Sequence, residues 1–352
     1  MLMQIDGTEV KRGTKKSWLL PAGETVLGAY DIPLTVISGA RDGPTLAVMA
    51  GCHPGELVAI AAAIRLSREV DPLHLAGTLI VVHVQNPLGL QFKHAYVNPL
   101  DGMNLSSAYP HDHERGSDEA RDLGQSSVHR AKSLTLQVAE KLFREIVKKS
   151  DYLVDMHGGE LNEWLVPNIE ILMCGDDNTD KRTREFAKKF GFELVWELST
   201  GSIPEMPKYP GAGMLVYEAV RNGIPSAYCE CGREGKIEEE YVETSYRGVM
   251  NLMAELGMLE GKKKQVAEFE WLVGGSVLFA SRGGLFVSLV KAGDKLRRGQ
   301  ELGYIMDLWG ERLETLKSSV DGVLLNMITL GVANPGDMLY VIGSSRSTAG
   351  GK

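Results

Sequence analysis

His53 and Glu56 stand three residues apart in Gly51-Cys52-His53-Pro54-Gly55-Glu56. An imidazole nitrogen with a carboxylate oxygen is a zinc-type donor pair. Pro54 and Gly55 supply a tight turn, which lets both side chains converge on one ion. Taken alone, the H-x-x-E spacing is weak, because many such pairs are surface accidents. Two later positions strengthen it. His157 closes the run Asp151-Tyr152-Leu153-Val154-Asp155-Met156-His157, and Glu230 sits in Ala227-Tyr228-Cys229-Glu230-Cys231-Gly232. Two His and one Glu, with a fourth position open, form a catalytic zinc pattern; structural zinc sites are usually closed and Cys-rich. A metal held this way would lower the pKa of its water to ~7 and polarise a carbonyl. A carboxylate that is not a ligand would accept the water's proton and pass it to a leaving nitrogen. Glu230 fits that role, with Cys229 and Cys231 projecting to the opposite face of a strand.

The elements around these residues place them together. Residues 44–50 read as a buried strand and residues 57–64 as a small-residue helix. His53 and Glu56 therefore lie where a strand ends and a helix begins, the crevice where open α/β sheets bind ligands. Residues 77–84 form a second apolar strand, which makes a βαβ unit. Strands at 151–157 and 224–232 carry His157 and Glu230. Parallel strands gather their C-terminal ends, so groups distant in sequence meet there. Amphipathic helices are expected at 133–149, 180–190, 214–222 and 238–256, the last stopped by Gly257. Between the second strand and the 133–149 helix lies a long segment, 88–128, with few helix or strand signals. Loops of that length in compact domains are usually functional or disordered.

Past a charged linker, Glu260-Gly261-Lys262-Lys263-Lys264-Gln265, the texture changes to short β-type runs punctuated by glycine. The expected organisation is a catalytic domain over 1–265, a small all-β domain over 266–343 and a disordered tail over 344–352. The fold class is α/β, a mixed and mainly parallel sheet flanked by helices. Hydrophobic residues make up 43% and charged residues 24% of the 352, enough for a sizeable core. The net charge of -8 argues against a broad nucleic-acid surface. No apolar run reaches the ~20 residues of a membrane span. The four cysteines show no disulfide rhythm, which favours a reducing cytoplasm. Nucleic-acid and membrane partners are not expected; a small-molecule substrate is, and a homo-oligomer is allowed.

The ordered motifs resemble the succinylglutamate desuccinylase/aspartoacylase family, the amidohydrolase branch of the zinc carboxypeptidase fold. Residues 51–56 match its G-x-H-G-x-E except at Pro54, where glycine is usual. Asn86-Pro87 matches its N-P, and residues 99–105 match P-x-D-G-x-[DN]-L. Asp155-Met156-His157-Gly158 matches D-x-H-G, and Glu230-Cys231-Gly232 matches E-x-G. The resemblance covers most of the chain, and the C-terminal module is similar in pattern to a biotinyl/lipoyl fold. It implies one zinc ion per chain, bound by His53, Glu56 and His157, with Glu230 as general base and acid. It also gives Asn104 a hydrogen bond to a zinc histidine. Asp155 projects from the same strand face as His157 and could orient it.

One departure bears on the substrate. Where the family has arginines that grip a substrate carboxylate, this sequence has Tyr96 before the matched segment and Ser106-Ser107 after it. Losing a bidentate arginine is not conservative. Either the substrate lacks that carboxylate, the preferred reading, or another cation replaces the clamp. Arg115, Arg121, Arg130, Arg233, Lys93 and His94 are the candidates. His111-x-His113 reads as a solvated cluster more than a second metal site. The expected activity is zinc-dependent hydrolysis of the amide bond of a small N-acylated amine or amino acid. The rivals are a metallocarboxypeptidase, which would want the missing arginine, and a carrier or binding protein. Against the carrier, Lys317 lacks the flanking methionines of a lipoyl-type hairpin tip.

Overall fold

The computed structural model describes residues 3–110, 132–261 and 263–345. The chain opens on a small hairpin, β1 (Met3–Ile5) and β2 (Thr8–Val10), then a long one, β3 (Thr14–Thr25) and β4 (Gly28–Ser38). β5 (Arg41–Ala50), α1 (Leu57–Glu69) and β6 (Ala76–Val82) form the βαβ unit. α2 (Pro87–Phe92) and a single 3-10 turn at Leu105–Ser107 follow, then α3 (Leu134–Glu145) and β7 (Tyr152–His157). Next come β8 (Glu163–Met173), α4 (Asp177–Lys188), β9 (Leu194–Ser199) and α5 (Leu215–Arg221). β10 (Ser226–Arg233) and α6 (Glu239–Glu255) complete this part.

The remaining elements are all strands. They are β11 (Glu270–Phe279), β12 (Gly284–Ser288), β13 (Lys295–Leu296) and β14 (Glu301–Met306). β15 (Arg312–Lys317), β16 (Gly322–Ile328), β17 (Val332–Ala333) and β18 (Met338–Ser345) finish the described chain. Ser344 and Ser345 thus belong to a strand, and the rest of the expected tail lies outside the described residues.

Twelve of the strands make one mixed sheet in the order β13-β16-β18-β11-β9-β8-β10-β7-β5-β6-β4-β3. Its centre is parallel: β5 pairs with β6 and with β7, and β7 pairs with β10. β5 shows why an unbroken apolar run is needed there. Leu46, Val48 and Ala50 enter the core shared with α1, α4 and α6, while Ala47 and Met49 enter the core shared with α3 and α5. Both faces are buried, so alternation with polar residues disappears. Residues 14–38 form one long antiparallel hairpin, β3 with β4. Pro21 does not interrupt it because β3 is the sheet's edge, where a missing N–H is tolerated.

The C-terminal strands join the same sheet. β11 runs parallel to β9, β18 pairs with β11, and β16 pairs with β18. β16 also pairs with β8, through Asn326 with Leu165 and Ile328 with Glu163. The pairings β8-β9-β11-β18-β16-β8 therefore close a circuit of strands. β12, β14, β15 and β17 form a separate sheet beyond it. No helix among the described residues is long and apolar enough to cross a membrane.

Candidate active site

Gly51 begins the turn after β5 with φ +66°, in the left-handed region. A Cβ there would lie 3.1 Å from Val84 Cα, so a side chain is disfavoured by both the crowding and the backbone conformation. Glu56 stands just ahead of α1, yet its side chain does not cap the helix. It turns back into the crevice. Glu56 Oε1 lies 2.8 Å from His53 Nδ1, and Oε2 lies 3.1 Å from His157 Nδ1. The two imidazoles meet edge to face with centroids 4.9 Å apart. His157 Nε2 is held by Asp155 Oδ2 at 3.0 Å, so Nδ1 is the nitrogen left to face Glu56. Asp155 is held in turn by Gln85 Nε2 at 2.8 Å, and the buried Tyr109 hydroxyl donates to Gln85 Oε1.

A second buried carboxylate fixes the turn itself. Glu160 Oε1 accepts from Gly55 N at 2.9 Å and from Tyr96 N at 3.3 Å, while Oε2 accepts from Leu161 N at 2.9 Å. One side chain thereby ties the His53–Glu56 turn to the loop that carries Tyr96. Tyr96 has φ +62°, a left-handed conformation that is uncommon for a bulky residue and concentrated at functional sites. Its ring packs edge-on against His53 at 5.3 Å.

The electrostatics follow from burial. Burial alone would raise the Glu56 carboxyl, but the His157 and His53 imidazoles outweigh it and hold the pKa at about 2. Burial would lower the His157 pKa, yet Glu56 and Asp155 push it well above the ordinary value. Glu230 is the opposite case. Burial drives its carboxyl well up, and the nearby His157 only partly offsets this. Glu230 is the β10 partner of His157 in the sheet register, and its Oε2 is buried with no hydrogen-bond partner.

The residues present fit a metal ion. One donor atom each from His53, Glu56 and His157 lies within 4.8 Å of the others. Two imidazoles and a carboxylate suit a divalent transition metal. Glu56 Oε2 has no well-formed hydrogen bond, and such orphaned buried atoms mark a missing partner. Asp155 behind His157 is the orienting carboxylate that metal-binding imidazoles usually have.

These groups open into a cavity of about 370 Å³. His53, Glu56, His157, Glu230, Tyr96 and Asn104 are among its lining. The closed circuit of strands supplies much of the rest, with Leu165, Asn168 and Glu170 from β8, Trp196 from β9, Val277 from β11, Leu325 and Asn326 from β16 and Val341 from β18, and the segment between β9 and α5 adds Ile203, Met206 and Tyr209. A larger groove of about 680 Å³ lies elsewhere, around Phe192, Arg247 and Lys264, away from this chemistry.

A model of the succinylglutamate desuccinylase/aspartoacylase catalytic domain matches residues 42–256 of this chain. The chain belongs to the succinylglutamate desuccinylase/aspartoacylase family. It is 25% identical over 329 residues to the N-alpha-acetyl-L-2,4-diaminobutyric acid deacetylase of Halomonas elongata, covering 91% of this chain and 87% of that protein. Solved structures share the fold. A succinylglutamate desuccinylase/aspartoacylase from Rhodobacter sphaeroides superposes with TM-score 0.78 at 21% identity, covering 97% of this chain and 98% of the other. The product-bound ectoine utilization protein EutE (DoeB) from Ruegeria pomeroyi gives TM-score 0.79 at 21% identity, covering 95% and 97%. The family is one of amide-bond deacylases.

Within this family frame the other expected residues fall as follows. Asn104 lines the cavity, but its Oδ1 accepts from Ser106 N at 2.9 Å. Ser106 and Ser107 sit on the 3-10 turn outside the cavity lining. Arg233 is paired with Glu238 at 2.8 Å and lies over the Trp164 ring at 5.2 Å, also outside the lining. Lys93 and His94 are exposed. His111, His113, Arg115, Arg121 and Arg130 lie outside the described residues. Sequence reasoning missed Gln85, Glu160, Glu163, Asn168 and the Glu170–Tyr209 pair. A visible signal existed for Glu170, a carboxylate between Ile169 and Ile171 in a strand that reads as buried. For Glu160 there was none, since its partners are backbone amides.

Proposed function

We propose that this protein is a zinc-dependent deacylase that hydrolyses the amide bond of a small N-acylated amine or amino acid. The observation that carries the reading is the convergence of His53 Nδ1, the Glu56 carboxylate and His157 Nδ1, with the buried Glu230 carboxyl one strand away. His53, Glu56 and His157 would hold one zinc ion per chain. When bound there, zinc supplies Lewis-acid polarisation of an acyl carbonyl and makes water more acidic.

The chain's own groups do the rest. Glu230 Oε2 takes the proton from water as it adds to the acyl carbon, then returns it to the leaving nitrogen. Burial raises its pKa, which makes the carboxylate a stronger proton acceptor than an exposed one. The Tyr96 ring packs beside His53, and its hydroxyl is hydrogen-bonded to the buried Glu163 carboxyl, which fixes the side chain against the cavity. Asp155 keeps the His157 ring in the tautomer that offers Nδ1. Leu165, Val277, Leu325 and Val341 give the cavity apolar walls, and a less polar surrounding strengthens charge interactions beside it. The relative from Halomonas elongata is named for removing an acetyl group from a diamino acid, which agrees with a small N-acylated substrate.

The reading extends to the whole chain. Residues 1–265 are taken as the catalytic domain and 266–343 as a β domain of biotinyl/lipoyl type that lends strands to the cavity wall. The cysteines Cys52, Cys174, Cys229 and Cys231 are all free, in keeping with a cytoplasmic protein. The test is metal analysis joined to a hydrolysis screen over N-acylated amines and amino acids. One zinc per chain, lost in His157→Ala together with activity, is expected. Full activity after exhaustive chelation would sink the proposal.

A further inference from the structure

The cavity runs on past the clustered donors, and its far wall has a distinct chemistry. In the sheet register Glu230 lies opposite Asn168, and Tyr228 lies opposite Glu170. Trp196 is the β9 partner of Glu170. Asn168, Glu170 and Trp196 all line the cavity. Two strand spacings separate β8 from β7, so this wall stands roughly 10 Å from the His157 strand.

What the wall offers is acceptors. Glu170 is 6% exposed, and its Oε1 accepts from the Tyr209 hydroxyl at 2.7 Å. Asn168 is 2% exposed and donates Nδ2 to Val166 O at 2.9 Å, which fixes the amide and leaves Oδ1 buried without a partner. Asn326 repeats the pattern. Its Nδ2 donates to Glu163 Oε1 at 3.3 Å, and its Oδ1 is buried and unpartnered. The hydroxyl of Tyr209 is already spent on Glu170, and Trp196 Nε1 donates to Gly274 O at 2.7 Å. Among the described residues no Lys or Arg lines the cavity, while Glu163 and Glu170 add carboxylates beyond Glu56 and Glu230.

A carboxylate brings only acceptors to such a wall; an ammonium brings donors and no acceptor. We propose that the amine half of the substrate ends in a second, protonated nitrogen, received by the Glu170 carboxylate and Asn168 Oδ1 beside Trp196. The substrate class is then an N-acylated diamine, a reading that rests on the deacylase assignment above. The acylated nitrogen lies at His53, Glu56 and His157, and the free ammonium lies at β8. Trp196 presents an aromatic wall suited to a cation. Glu170, pushed up to about 7 by burial, would be drawn back down by the ammonium, which supplies the missing countercharge.

The test uses three matched probes with the full-length zinc-loaded protein: N-acetyl-1,4-diaminobutane, its neutral isostere N-pentylacetamide, and the anionic N-acetyl-5-aminopentanoate. Binding is measured by calorimetry and hydrolysis by kcat/KM. The cationic probe should bind at least about tenfold tighter than the neutral one, and the anionic probe weakest. Glu170→Gln keeps an acceptor for Tyr209 and removes the charge, so the cationic-to-neutral binding ratio should fall to about 2 or less. Equal or tighter binding of the neutral or anionic probe overturns the proposal, as does a ratio untouched in a folded Glu170→Gln protein. Cation-selective binding with no hydrolysis of any probe upholds the proposal and overturns the deacylase reading. Hydrolysis that favours the neutral or anionic probe does the reverse.

Discussion

Asp155 Oδ2 lies 3.0 Å from His157 Nε2, two residues along the same strand. Alternation on β7 puts both side chains on one face, so the carboxylate grips the far nitrogen of the ring. The near nitrogen is thereby aimed at Glu56. Gln85 and Tyr109 extend the chain of bonds behind Asp155 into the core.

Asp155→Asn should therefore weaken zinc binding without unfolding the protein. An amide can present its NH2 group to Nε2 and so favour the wrong tautomer. The expected loss is about 10- to 100-fold in zinc affinity, read by competition with a chromogenic chelator. Gln85→Leu should move affinity the same way by a smaller factor. Unchanged affinity in Asp155→Asn would mean that the His157 ring is oriented by its packing against Tyr228 alone.

Glu230→Gln should separate chemistry from metal binding. The amide fits the same buried space, and the side chain is not among the clustered donors. Zinc content should stay that of the parent, and turnover should fall about 10²- to 10⁴-fold. A variant that keeps near-parental turnover would remove Glu230 from the proton path.

The parts of this site that were legible in the sequence are those fixed by short-range pattern. His53 and Glu56 share one turn, Asp155 and His157 share one strand face, and each lies at the end of an apolar run. Parallel pairing then brings the strand ends together, as β5, β7 and β10 do. The cavity wall was not legible. Leu325, Asn326 and Val341 come from strands whose glycine-punctuated pattern reads as a module of its own. Their place beside Glu163 and Trp196 depends on β16 pairing with β8 and β11 pairing with β9. Those are contacts between residues more than 70 apart, and periodicity carries no record of which strand edge meets which. Strand β9 itself was overlooked because Glu197 interrupts its apolar run; the structure gives that carboxylate to Arg184 at 2.7 Å.

Gly55→Ala should damage the ligand turn through a neighbour. A Cβ at Gly55 would collide with the Glu160 carboxylate, the same group that accepts the Gly55 N–H. Glu160 cannot retreat freely, because it also holds Tyr96 N and Leu161 N. The backbone between His53 and Glu56 must shift instead. Overpacking of this kind costs about 1–3 kcal/mol, measurable by denaturant unfolding, and zinc affinity should fall with it. A Gly55→Ala protein with parental stability and metal affinity would show that the turn is more compliant than its contacts suggest.

Glu170→Gln should change stability in a way that depends on pH. Burial raises the Glu170 carboxyl from the ordinary 4.5 to about 7, and the Tyr209 hydroxyl only partly counters this. Below pH 4.5 the group is protonated in both folded and unfolded chains and contributes no penalty. Between pH 4.5 and about 7 the unfolded chain releases the proton first, so the folded state loses stability as pH rises. Above that window the whole penalty remains, on the order of 3 kcal/mol. Glutamine carries no charge and still accepts from Tyr209. At pH 8 the variant should therefore unfold at a temperature several degrees above the parent, and at pH 4 the two should nearly coincide. The comparison is made by calorimetry at both pH values without ligand. A stabilisation of equal size at pH 4 and pH 8 would show that packing, rather than the buried charge, separates the two proteins.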